Sequence, residues 1–86
     1  MNVNVTFEQA ARSNWNEKRT VVVYGMCEVS EREGSATVEA TGHADAIGQF
    51  LQLAKDGGYK MPIATGYWMP EQRKSGLYGE HPHLVV

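Results

Sequence analysis

The feature that most constrains this chain is a pair of alternating segments in its middle, separated by a short charged stretch. Residues 20–30 read TVVVYGMCEVS. The alternation places Val21, Val23, Gly25, Cys27 and Val29 on one face and Val22, Tyr24, Met26 and Glu28 on the other, the period-2 signature of a half-buried strand rich in β-branched residues. Glu31-Arg32-Glu33-Gly34 then supplies the charge and the terminal glycine of a hairpin loop. From Ser35 to Thr41 the pattern resumes, with Ala36, Val38 and Ala40 inward against Thr37, Glu39 and Thr41 outward. An antiparallel hairpin over about residues 20–41 is therefore expected.

Helical periodicity follows at once. Ala44, Ile47, Leu51 and Ala54 recur on one stripe, flanked by Phe50 and Leu53, which predicts a helix over about 43–56. Thr41 or Asp45 serves as its cap or first-turn acid, and Gly57-Gly58 is its left-handed stop. The fold class is thus α+β, a small antiparallel sheet under one main helix. Upstream, Val3 and Val5 alternate in a short strand, and Thr6-Phe7-Glu8-Gln9 has the form of a capping box opening a helix to about Asn14. With a strand near Met61 to Met69, the order becomes β-α-β-β-α-β, that of ferredoxin-like folds. A plainer sheet with one helix is the alternative.

The last third is punctuated by Pro62, Pro70 and Pro82 and by Gly66, Gly76 and Gly79. Residues 70–83 accordingly read as a loop-rich segment before a short strand at Leu84 to Val86. A length of 86 residues suits one domain, 1–86, with one thin core. The single cysteine rules out an intramolecular disulfide and favours a reducing compartment. With no leader pattern near the start and no apolar run of about 20 residues, a cytoplasmic protein without a membrane partner is expected.

No pattern in the chain points to catalysis. Gly57-Gly58 follows a helix, whereas a phosphate-binding loop precedes one. Ser13, Ser30, Ser35 and Ser75 lie in expected caps or turns, away from any nucleophile elbow. Cys27 falls on the inward strand face, where a thiol behaves as a small hydrophobe. Tyr24 to Gly57 resembles the second half of an acylphosphatase. The glycine-rich anion loop and arginine of that family have no counterpart before Thr20, since Arg12 lacks flanking glycines. The resemblance implies a hairpin–helix arrangement, and the activity is not carried over. His81 and His83, two apart and joined by His43 or Glu80, are the best metal ligands available. Two ligands without a second pair make too weak a pattern, so no metal and no cofactor are expected. His43 is expected on the surface near a helix start.

Binding is the better-supported expectation. Tyr67, Trp68, Arg73 and Tyr78 cluster in a loop-rich stretch, and aromatics with arginine are the usual anchors of interfaces. Alternation lets only one of Tyr67 and Trp68 face the core. Glu31 and Glu33 of the hairpin loop form a second candidate patch. Arg12, Lys18 and Arg19, near Trp15 and Tyr24, would suit RNA if Tyr24 stacks a base on an uncovered sheet face. The net charge of −2 argues against nucleic acid, and a solvated helix end is the plainer meaning of the cluster.

The leading expectation is a non-catalytic module that binds a larger protein or complex through Tyr67, Trp68, Arg73 and Tyr78, with Glu31 and Glu33. In size and architecture such a domain is similar to orphan phage proteins that take over host functions, anti-CRISPR proteins among them; the likeness implies an inhibitor or accessory protein. The second expectation is a small-molecule, nucleotide or RNA binder acting as a homodimer, since one chain of this size seldom encloses a cavity of about 300 Å3 or more.

Overall fold

The computed structural model describes residues 2–27 and 29–78. Seven elements follow one another: β1 (Asn2–Val5), α1 (Phe7–Arg12), β2 (Arg19–Cys27), β3 (Glu33–Ala40), α2 (His43–Asp56), β4 (Pro62–Met69) and β5 (Lys74–Tyr78). The fold is α+β. The strands form one sheet in the order β1-β5-β4-β2-β3. Four of them are antiparallel neighbours, and β1 joins β5 in parallel. The first six elements keep the order β-α-β-β-α-β, but β1 lies at the sheet edge, whereas a split βαβ arrangement inserts the first strand within the sheet.

The central hairpin forms as its alternation dictates. Val21, Val23 and Cys27 of β2 are buried, with Val38 and Ala40 of β3 beside them. Helix α2 covers this face with Ala46, Ile47, Phe50 and Leu51. Ile47 and Leu51 are almost fully buried against the strands. Leu53, expected beside the buried stripe, is 53 % exposed. It points off the face that Ile47, Phe50 and Leu51 occupy, so the sheet cannot cover it.

The helix ends are satisfied in different ways. In α1 both halves of the capping box are made: Thr6 accepts from the Gln9 amide at 3.3 Å, and the Gln9 side chain accepts from the Thr6 amide at 2.9 Å. The helix stops at Arg12, short of the expected Asn14. Gly42 stands at the N-cap of α2 and makes no side-chain bond. Asp45 of the first turn reaches back instead, its carboxylate accepting from the Thr41 amide at 3.0 Å and from the Thr41 hydroxyl at 3.4 Å. That amide holds the Asp45 carboxyl below its usual range, assisted by the Gln49 and Thr41 side chains and by Lys18. Gly58 carries the left-handed turn after the helix, at φ +89°.

Two features of β4 and β5 depart from the sequence reading. Residues 74–78, expected as loop, form β5. Lysine, serine and glycine give this stretch little strand propensity of its own, and its pairing with β4 on one side and β1 on the other makes it a strand. In β4 the pairing with β2 shifts between Tyr24 and Gly25, where Ala64 and Gly66 meet consecutive residues of β2. Thr65 is the extra residue of this bulge. The bulge reverses the alternation, so Ala64 and Tyr67 both face the helices although three positions apart, and Trp68 faces away. Leu84 to Val86 lies outside the described residues. Among those described, no helix is long and apolar enough to cross a membrane.

Candidate functional site

Both helices lie on one side of the sheet, and no described helix packs on the other. Register places the residues of that open face in rows. Trp68 stands between Val22 and Ser75, with Thr37 beyond Val22. Tyr24 lies between Ser35 and Gly66, with Leu77 beyond Gly66. Met26 lies between Glu33 and Ile63. Tyr24 is 44 % exposed and Leu77 54 %, while Val22, Met26, Ile63 and Trp68 are half-buried. The face is therefore an apolar centre bordered on β3 by Glu33 and Glu39, the only charged residues at its described strand positions.

On the helix side, a cleft of about 440 Å3 opens between the loop after α1, the start of α2 and the ends of β2, β4 and β5. Val5, Tyr67 and Met69, all buried, form its floor. Trp15 and His43 form the wall, with ring centroids 5.0 Å apart in an edge-on contact. His43 meets Tyr67 at 4.6 Å and Tyr78 at 5.5 Å. Tyr67 stacks on Tyr78 at 5.1 Å. The Tyr78 hydroxyl lies 2.9 Å from His43 Nδ1. Burial raises the phenol pKa of both tyrosines, most strongly for Tyr78, so both are neutral at physiological pH.

Gln9, Arg19, Arg73 and Lys74 line the rest of the cleft. Arg19 lies 5.6 Å over the Trp15 ring and pairs with Glu17 at 3.2 Å. Arg73 closes the β4–β5 turn in a left-handed conformation at φ +54°, its amide donating to the Pro70 carbonyl at 3.3 Å. Among the described residues no carboxylate lines the cleft.

Comparison with protein-family models, with curated proteins and with solved structures finds no match.

The residues singled out in the sequence thus separate onto different surfaces. Trp68 and Glu33 share the open face, together with Tyr24. Tyr67 and Tyr78 are buried, 4 % and 6 % exposed, and belong to the aromatic cluster rather than to an exposed patch; the Thr65 bulge turns Tyr67 inward, and β5 carries Tyr78 in beside it. Arg73 stands at the mouth of the cleft. Glu31 is exposed in the hairpin turn at φ +57°, beyond the end of the open face. Arg19 of the basic cluster belongs to the cleft wall with Trp15, while Tyr24 lies on the opposite face of the sheet.

His43 is half-buried within the aromatic cluster and not on the open surface, because Gly42 brings the start of α2 against the Ser13 backbone. Its part in the cleft has no local sequence signal, since Trp15, Tyr67 and Tyr78 reach it only through the tertiary fold. The cleft itself is open to solvent above Tyr67 and Met69 rather than enclosed within the chain.

His81, His83 and Glu80 lie outside the described residues. Among those described, no three metal-ligating side chains converge. Cys27 is 4 % exposed, as its inward face predicts. Its neutral thiol donates to the Lys60 carbonyl at 2.7 Å. The Ser30 hydroxyl and amide nonetheless favour the thiolate and bring the pKa down to about 7.

Proposed function

We propose that this chain is a non-catalytic protein-binding module that acts in the cytoplasm by covering a surface of a larger protein, in the manner of a small inhibitor or accessory protein. The observation that carries this reading is the open sheet face, where Trp68, Tyr24 and Leu77 present large apolar side chains side by side on paired strands. Exposed apolar area of this kind, with aromatics at its centre, is the usual material of interface anchors. Glu33 and Glu39 border it on one side, so the complementary partner is an apolar surface with a basic rim. The same acids oppose a phosphate backbone, which favours protein over RNA on this face although Tyr24 is well placed to stack a base. The outer edge of β3, which pairs with no other strand among the described residues, is a second point of contact, since such an edge can add a strand from a partner or from another copy.

The test is affinity capture from host lysate treated with nuclease, using the wild type beside Trp68→Ala, Leu77→Ala and Glu33→Lys. A stoichiometric protein retained by the wild type and by Arg73→Asn, but lost by the three open-face variants while their circular dichroism is unchanged, supports the reading. A partner indifferent to all three variants overturns it, as does one released by nuclease.

A further inference from the structure

We propose that the cleft between Trp15, His43 and Lys74 is a second binding site, independent of the open face, and that its ligand is a small molecule joining a planar ring to an anionic group, of the kind a nucleoside monophosphate represents. Three properties of the cleft point the same way. Its volume of about 440 Å3 falls within the range of small-molecule sites, roughly 300–1,000 Å3. Its wall is aromatic, with Trp15 half-buried, held edge-on by His43 and carrying the Arg19 guanidinium 5.6 Å over its ring, a place a ligand ring takes when Arg19 turns to the anion. Its rim is cationic, with Arg19, Arg73 and Lys74 around the opening.

The charge distribution discriminates among ligands. The whole chain carries a net −2, yet three of its eight lysines and arginines surround this cleft and no described carboxylate lines it. A cationic ligand would meet repulsion, and a neutral one would leave the rim unused. Arg19 is engaged by Glu17, but both side chains are partly exposed, at 28 % and 65 %, and such a pair is held by only about 0–1 kcal/mol. The guanidinium can therefore turn from Glu17 to a ligand anion at small cost. Arg73 and Lys74 stand side by side at the start of β5 and supply two further charges, the guanidinium with a planar fork suited to phosphate or carboxylate. Met69 and Tyr67 on the floor provide apolar contact for the underside of a ring.

A left-handed conformation disfavours a branched or long side chain by about 1 kcal/mol and favours glycine or asparagine. Arg73 at φ +54° shares this conformation with Asn16, Glu31 and Met61, so its contribution to the cleft is its charge rather than its backbone.

Trp15 provides the readout. In a Trp68→Phe background Trp15 is the sole tryptophan, since the chain has two, and its fluorescence is titrated with a purine nucleoside monophosphate, with the unphosphorylated nucleoside and with inorganic phosphate. Saturable quenching by the monophosphate, at least about tenfold tighter than by the nucleoside and weakened by salt, is the expected result. Arg73→Asn, which keeps a residue suited to the left-handed turn, and Lys74→Ala should each weaken it about tenfold, with no lowering of the thermal transition. Phosphate alone should compete without quenching. Absence of saturation into the millimolar range, equal affinity for the nucleoside, or indifference to both substitutions overturns the proposal. Since Trp68 is absent in every arm, failure here leaves the open-face reading untouched.

Discussion

Tyr67 and Trp68 are adjacent in sequence and opposite in role, and truncating each to alanine tests the register that separates them. Tyr67 is 4 % exposed, with its ring centroid 4.6 Å from that of His43 and 5.1 Å from that of Tyr78. Removing a buried aromatic costs about 3–5 kcal/mol through lost transfer energy and the cavity left behind. A domain of this length has a total stability of about 4–13 kcal/mol, so Tyr67→Ala should consume roughly a quarter of it or more. At about 4–8 °C per kcal/mol the thermal midpoint falls by at least about 12 °C. Trp68 is half-buried on the open face, with no helix above it among the described residues. Its truncation removes contacts along the sheet with Val22 and Ser75 and leaves no enclosed void, a loss of about 1–2 kcal/mol. Urea denaturation followed by far-ultraviolet circular dichroism separates the two, because the slope with denaturant should stay constant while the midpoint shifts. If Trp68→Ala is as destabilising as Tyr67→Ala, Trp68 is a core residue. The bulge at Thr65 and the reading of the open face would then both be wrong.

Three further outcomes are expected. Gly25→Ala should destabilise by about 1–3 kcal/mol, because a Cβ there would overlap the Phe50 ring and the Ile63 carbonyl, and the carbonyl belongs to paired backbone; a thermal midpoint within 2–3 °C of wild type (roughly 0.5 kcal/mol) would contradict that packing. Asp45→Ala should cost about 1 kcal/mol near neutral pH. The Asp45 carboxyl is lowered by the Thr41 amide, so its contribution is fully present above the ordinary carboxylate pKa of about 3.9 and disappears as pH falls through the lower folded value; a wild-type-to-variant difference that persists in strong acid refutes this. The Cys27 thiol should titrate near 7 by ultraviolet absorbance of the thiolate, with Ser30→Ala moving the midpoint upward. That stabilisation is present above the ordinary thiol pKa and lost as pH falls through about 7, and a midpoint unaffected by Ser30→Ala would exclude the serine as its cause.

The sequence by itself determined the hairpin, the main helix and the capped first turn of α1. Each rests on a local period or a local hydrogen bond: alternation in Val21 to Cys27, the stripe of Ile47 and Leu51, and the reciprocal bonds of Thr6 and Gln9. Those signals act over a few residues and survive without knowledge of the remaining chain. It also narrowed the choice between Tyr67 and Trp68 to one inward residue.

Only the tertiary structure decided which of the two turned inward, because the bulge at Thr65 is created by pairing with β2 and leaves no mark in the composition of β4. The same holds for β5, whose lysine, serine and glycine become a strand between the adjacent β4 and the distant β1. It holds also for the cleft, where Trp15, His43 and Tyr67 come from three separate elements. Local preferences fix the period of a segment, while the pairing of strands distant in the chain fixes its register, and register decides which side chains share a surface.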